Sequence, residues 1–237
     1  VVLGAAARRG LFPSQLDAEG ARRVGRAFVD YLGARRVAVG RDCRVSSPEL
    51  SAAFVEGARS QGAEVTDIGV VGTDMLYYHV ARHDLDGGAI VTASHNPKEW
   101  NGVKLVRRGA LALSGDEGIK EIREWLLGGR YADAPPASGG LGSLPPSYYT
   151  AMRDDYARHC LSFVDEAAIP RFKVVLDTAN GMGAVGAEAI FGHLPVETVR
   201  MYFDLDGTYP NHPADPLLEE NRRDVVERVL SERASLG

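Results

Sequence analysis

Ser94 stands in Thr92-Ala93-Ser94-His95-Asn96-Pro97, directly after the apolar run Ala89-Ile90-Val91 that Gly87 and Gly88 open. Open α/β sheets bind ligands outside the carboxyl ends of their strands, so this is where a nucleophilic hydroxyl would be presented. By composition alone, a serine before His-Asn-Pro is more often a turn residue. Two other patterns invite chemistry. His79 and His83 stand four apart on a predicted helix and could share a metal, but no clear third ligand accompanies them, so a surface or partly buried pair is the plainer reading. Gly181-Met182-Gly183-Ala184-Val185-Gly186 has G-x-G-x-x-G spacing, with Asp204 about 20 residues on, as a dinucleotide site requires. Against it, Thr178-Ala179-Asn180 separates the strand from the first glycine, which the fingerprint puts in the tight turn itself.

The elements that must position these residues alternate. A helix over 17–32 follows from Ala21, Val24, Gly25, Phe28, Tyr31 and Leu32 at three- and four-residue spacing. A strand over 36–39 comes next. Ser47-Pro48-Glu49 predicts a helix start with a side-chain acceptor at the cap, the helix running to about Ser60 with Gly62 closing it. Residues 64–68 read as a strand, 73–83 as a helix and 88–93 as a strand, with 103–106 pairing at its edge. Ser114 and Glu117 predict an S-x-x-E capping box for a helix whose Ile119, Ile122, Trp125 and Leu126 face inward before Gly128 stops it. From Gly128 to Pro146, 11 of 19 residues are Gly, Pro or Ser, which predicts a linker between a first domain over 1–127 and a second over 147–237. The second domain carries a helix over 148–160, a strand over 172–177, a helix over 184–191, a strand over 196–202 and a helix over 219–233. Strands alternating with helices predict an α/β protein with mixed, mostly parallel sheets flanked by helices.

Composition narrows the class. With 237 residues, 45% hydrophobic and 25% charged, the chain is ordered and globular rather than fibrous. Its 27 basic residues against 32 acidic give a net charge of −5, which argues against a phosphate-backbone partner such as nucleic acid. Apolar runs are far shorter than the roughly 20 residues that span a membrane. Cys43 and Cys160 lie too far apart in sequence to read as a disulfide framework, and no signal segment opens the chain, so a cytoplasmic setting is expected. Val1 in place of Met reads as a start inside a longer product.

T-A-S-H-N-P, followed by Lys98, Asn101-Gly102 and Lys104, resembles the phosphoserine loop of the α-D-phosphohexomutases, which include phosphomannomutase and phosphoglucomutase. One prespecified hexapeptide arises by chance in such a chain at ~4 × 10⁻⁶ under equal residue frequencies, so the match is specific. Gly40-Arg41-Asp42 with Arg44 and Ser46-Ser47-Pro48-Glu49-Leu50 resembles the family's G-R-D-x-R-x-S stretch, and Gly69 to Thr73 its G-x-x-x-T segment. Asp177-Thr178-Ala179-Asn180-Gly181 and Asp206-Gly207-Thr208-Tyr209-Pro210-Asn211-His212 are similar to two further signatures, and Glu220-Asn221 to an E-N pair. The resemblance implies a two-domain phosphohexomutase that interconverts hexose 1- and 6-phosphates of mannose or glucose through a phosphoserine and a hexose 1,6-bisphosphate. It implies Ser94 as the phosphorylated serine, Lys104 as general acid/base or phosphate-adjacent cation, and His95 as loop support. Arg41, Asn96, Lys98 and Asn101 become substrate or phosphate contacts. Arg9-Gly10 falls where phosphomannomutases carry Y-D-I-R-G, with Ala6 and Ala7 replacing the tyrosine and aspartate, and Arg9 is carried over as an active-site cation.

Family members bind Mg²⁺ through a D-G-D-x-D-R loop that this sequence does not contain; Ala234-Ser235-Leu236-Gly237 resembles the A-D-x-G stretch just before it. The resemblance therefore implies that Mg²⁺ meets this chain only through the phosphate on Ser94, that the second domain is incomplete, and that the chain alone is inactive or nearly so. It also implies an unpaired sheet edge open to self-association. The expected partner is a hexose phosphate, not nucleic acid or membrane. Phosphoglucosamine mutase and a non-catalytic sugar-phosphate-binding module are the alternative readings.

Overall fold

The computed structural model describes residues 2–4, 7–115, 117–131 and 144–237, with side chains from residue 10 onward, so most of the expected linker lies outside the described residues. It divides into two compact units, residues 1–93 with 99–146, and residues 147–237 with 94–98.

In the first unit, β1 (Val2–Gly4) and β2 (Ala7–Leu11) lead into α1 (Ala18–Leu32), whose cap Asp17 accepts from the Gly20 N–H at 2.7 Å and whose last turn ends at Gly33 with φ 58°. Then follow β3 (Arg36–Arg41), α2 (Ser47–Ser60), β4 (Glu64–Val70), α3 (Thr73–Arg82), β5 (Gly87–Val91), β6 (Trp100–Arg107), β7 (Leu111–Ala112) and α4 (Ile119–Leu127). The sheet runs β1-β2-β6-β5-β3-β4, with β7 paired to β6. β3 is parallel to β4 and β5, whereas β6 is antiparallel to β5, β2 and β7. The strand expected at an edge, 103–106, is thus longer and interior.

Alternation sorts the strand residues between two layers. Val37, Val39, Ala89, Val91, Val103 and Leu105 join the core under α1, α2 and α4, where Phe28 and Phe54 meet with ring centroids 5.8 Å apart. The other face is α3's. A Cβ on Gly87 would strike Phe28 and Leu32 of α1, while one on Gly88 would strike Leu76 and Val80 of α3, so two successive glycines admit a helix on each side. β5 is buried along its whole length, as a strand covered on both faces must be.

Two caps differ from expectation. The helix after Gly118 begins at Ile119, and it is the Glu121 carboxylate that accepts from the Gly118 N–H at 3.1 Å; Ser114 and Glu117 instead close a backbone turn on each other. At α2 no serine hydroxyl caps the helix, because the Ser46 and Ser47 hydroxyls bond elsewhere.

The second unit holds α5 (Pro146–Leu161), β8 (Lys173–Asp177), α6 (Gly183–Phe191), β9 (Glu197–Met201) and α7 (Arg223–Glu232). The helix expected over 219–233 splits into a 3₁₀ turn, Glu219–Arg222, and α7. β8 and β9 are parallel, and residues 235–236 lie along β8, with Val175 N–H donating to the Leu236 carbonyl at 3.0 Å. No helix among the described residues is long and apolar enough to cross a membrane.

Candidate active site

Three parallel strands of the first unit end together. Arg41, the last residue of β3, stands in register with Val70 of β4 and Val91 of β5. β6 runs the other way, so its beginning lies beside the end of β5, and the Thr92 N–H donates to the Gly102 carbonyl at 2.8 Å. Ser94 comes three residues after β5 ends. It is half-buried and left-handed, with φ 58°. For a residue with a Cβ that conformation costs about 1–2 kcal/mol; such strain persists only where the surroundings impose it, and it clusters at functional sites.

Lys104 pairs opposite Ile90, between Val103 and Leu105 that face the α1–α2 core, and so it leaves the sheet on α3's side. Its Nζ donates to Oγ1 of Thr73, the first residue of α3, at 3.4 Å. The lysine is therefore held toward the end of the sheet where β5 finishes. Arg41 and Asn96 are half-buried, while His95 and Lys98 are exposed. Arg9 pairs through its backbone with Gly102; its side chain lies outside the described residues.

Asn101 differs from what its motif implies. Its side chain is fully buried; Nδ2 donates to the Ser46 and Ser47 hydroxyls at 2.8 and 2.9 Å, and Oδ1 accepts from the Gly102 N–H at 2.8 Å. Both functions of the amide point inward, so it positions the strand instead of meeting a ligand. Of its partners, Ser47 was expected only as a helix start. Asp42 accepts from the Arg44 N–H at 3.0 Å, from Arg44 Nε at 3.2 Å and from the Ser47 hydroxyl, and Arg44 Nη1 donates to the Trp100 carbonyl at 3.0 Å. An Asp-x-Arg pair directly after a strand was the available signal.

The second unit has its own constellation where β8 and β9 end. Asp177, the last residue of β8, accepts from the Ala179 N–H and meets His212 Nε2 at 2.9 Å. Asn180 donates to the Asp204 carbonyl at 2.9 Å and accepts from Asn211 at 2.8 Å. Ala179 and Asn180 are left-handed, and Asn180 fills the turn where a nucleotide would need open backbone, which counts against the dinucleotide reading.

His212 faces an acceptor on each nitrogen, the Asp177 carboxylate and, from Nδ1 at 3.0 Å, the Pro213 carbonyl. Only the doubly protonated ring can donate to both. Burial opposes the charge, but the Pro213 carbonyl, the Asp177 carboxylate and the Asp224 charge outweigh it and raise the imidazole above its ordinary 6.5. Because the folded value exceeds the unfolded one, the stabilisation is complete below about pH 6.5 and is lost as pH climbs through the folded value. Thermal melts should therefore show the second unit weakening as pH rises above about 6.5. The His212→Gln variant should lose this slope, and an unchanged slope would refute the assignment.

The His79 and His83 rings lie 4.3 Å apart with His79 buried, but among the described residues no group of three or more His, Cys, Asp or Glu is placed to hold a metal ion. The residues present thus do not by themselves make a Mg²⁺ site. Cys43 and Cys160 are not joined in a disulfide.

Comparison with known proteins bears on both units. Residues 2–128 match the family model described as phosphoglucomutase/phosphomannomutase, alpha/beta/alpha domain I, and residues 154–237 match that of domain II. A protein named phosphohexose mutases from Xanthomonas campestris pv. campestris (strain B100) is 35% identical over 97% of this chain and 50% of its own length. A phosphomannomutase of Salmonella montevideo gives the same figures. The crystal structure of a phosphoglucomutase/phosphomannomutase family protein from Burkholderia thailandensis superposes with a TM-score of 0.82 at 32% identity, over 98% of this chain and 50% of that one. The chain spans about half the length of the curated relatives it matches.

Proposed function

The chain belongs to the phosphoglucomutase/phosphomannomutase family, and from that membership we propose that it carries the phosphoserine half-site of an enzyme that interconverts hexose 1-phosphate and 6-phosphate, with mannose or glucose as the hexose. The observation that carries the reading is Ser94 itself, left-handed and just beyond the carboxyl end of β5, with Lys104 drawn to the same end of the sheet. Ser94 Oγ attacks the phosphorus of a hexose bisphosphate. The Oγ–P bond forms, the P–O bond to the sugar breaks, the hydroxyl proton leaves, and the sugar oxygen takes up a proton as it departs. The phosphoserine gives its phosphoryl group to the free hydroxyl of a hexose monophosphate, and the bisphosphate so formed returns the phosphoryl group of its other end to Ser94, so that one isomer enters and the other leaves.

Most of the catalysis is positioning and charge stabilisation, because charge spreads over the equatorial oxygens of the transferring group. In this reading Lys104 moves the proton or faces the phosphate, Arg41, Asn96, Lys98 and Arg9 contact the substrate, and His95 supports the loop. Mg²⁺ is the proposed cofactor, reached from this chain through the phosphate on Ser94. The proposed organisation is a phosphoserine-bearing domain over 1–127, a linker over 128–146 and a second domain over 147–237, in a cytoplasmic protein. The sheet edge of the second domain is the proposed route for any self-association.

Intact mass and peptide mapping test the reading. Because the chain alone is expected not to turn over, the measurement is of a single stoichiometric transfer: incubated with glucose 1,6-bisphosphate and Mg²⁺, the chain should gain about 80 Da, localised to Ser94. The Lys104→Met variant should take up the group about 10²- to 10⁴-fold more slowly. Hexose phosphate binding with no mass gain would sink the phosphoserine reading and leave a sugar-phosphate-binding module.

A further inference from the structure

Asp42, Arg44, Ser46, Ser47 and Asn101 are all buried, although each is polar or charged. Buried polar groups at this density are retained only when they satisfy one another, and these do. What the network joins is informative. Asp42 sits at the end of β3, and its N–H donates to the Val91 carbonyl at 2.9 Å, where the Ser94 segment departs. The Asp42 carboxylate holds the Arg44 guanidinium, which in turn donates to the carbonyl of Trp100, where the segment returns. Ser47 bonds both Asp42 and Asn101, and the Gly102 N–H donates to the Asn101 side chain while the Gly102 carbonyl receives the Thr92 N–H. Departure and return are therefore fastened to one rigid cluster at the mouth of the sheet.

We propose that the buried Asp42–Arg44–Ser47–Asn101 network is a positioning device for the Ser94 loop, fixing both roots of residues 92–100 so that Ser94 is held in its left-handed, attack-ready conformation. The network meets no substrate; it acts through the loop. The inference rests on the phosphoserine reading for its catalytic consequence and on the hydrogen bonds alone for its mechanical one.

A positioning residue should alter the maximal rate and leave ligand affinity nearly untouched. Arg44→Lys keeps the charge beside Asp42 but loses the fork that also reaches the Trp100 carbonyl. Ser47→Ala removes one hydroxyl with little change of volume, so it serves where the arginine variant folds poorly. In the full chain, the maximal rate of phosphoryl uptake by Ser94 from glucose 1,6-bisphosphate should fall about tenfold or more for Arg44→Lys, and several-fold for Ser47→Ala. The half-saturating concentration should stay within about twofold, and Ser47→Thr should restore the rate. Amide hydrogen exchange over residues 92–100 should quicken about tenfold, with β4 and α2 unchanged. Unchanged exchange in 92–100, or an effect confined to half-saturation, overturns the proposal. Wild-type chain that takes up no phosphoryl group would instead sink the phosphoserine reading, and the exchange pattern would still decide whether the network holds the loop.

Discussion

Replacing Ser94 by alanine should abolish the gain of about 80 Da completely while leaving the first unit folded. The nucleophile is a single oxygen, and the serines Ser46 and Ser47 just before and at the start of α2 are buried and bonded to Asn101 and Asp42. Stability should respond differently. Alanine keeps the Cβ that makes φ 58° costly, so Ser94→Ala inherits the strain of the parent residue. Glycine removes it, at the expense of extra freedom in the unfolded chain, and Ser94→Gly should melt above Ser94→Ala by roughly 0.5–1 kcal/mol. Two variants equally dead in uptake but ordered this way in stability would mark the strain as imposed by the site. Glycine melting no higher than alanine would show that the loop is not strained at all. Residual uptake on another residue in Ser94→Ala would displace Ser94 as the nucleophile.

What was legible in the sequence was local. The stripe of α1 depends on residues within a few positions of one another, and the strands expected over 36–39, 64–68 and 88–93, observed over 36–41, 64–70 and 87–91, announce themselves by branched and small residues between turns. β1 and β2 had no such signal, because Ala-Arg-Arg-Gly-Leu carries neither alternation nor branching and becomes a strand only through its ladder with β6. The same ladder makes β6 interior. A serine three residues before a glutamate resembled a helix start at Ser114, yet Gly118, at φ 93°, permits the chain to turn and hands the role to Glu121.

The site divides likewise. Ser94 and Lys104 could be read from one stretch of sequence, Thr92 to Lys104. The duty of Asn101 could not, because it depends on Ser46 and Ser47, more than fifty residues away. His212 is tied to Asp177 across 35 residues, and no spacing rule predicts such a pair. Motifs thus named candidate residues, while burial and partners separate the exposed His95 and Lys98 from the buried Asn101.

The largest stability effect should come from a residue remote from all this chemistry. Gly57 lies on α2 where it crosses α1, and a Cβ there would fall 1.9 Å from the Arg22 carbonyl oxygen and 2.8 Å from its carbon; Gly25 of α1 meets the Phe54 carbonyl reciprocally at 2.2 Å. Helix propensity alone favours Gly57→Ala by about 1 kcal/mol. Sterics reverse the sign. The obstructing atoms are backbone, which cannot swing aside like a side chain, so the helices must separate by more than an ångström. Separation opens the Phe28–Phe54 contact and the core beneath it. Overpacking of a rigid core costs about 1–3 kcal/mol and sometimes more; with two backbones in contact the upper end applies, against a total stability of about 5–15 kcal/mol. Gly57→Ala should lower the melting temperature of the first unit by about 10 °C, or prevent its folding. Gly186→Ala, in α6 with nothing within 4 Å of its new methyl, supplies the contrast and should raise stability by up to about 1 kcal/mol. Both substitutions make the same chemical change in a helix, so opposite signs would isolate close backbone approach as the cause, and a Gly57→Ala chain melting at or above the parent would refute the α1–α2 geometry.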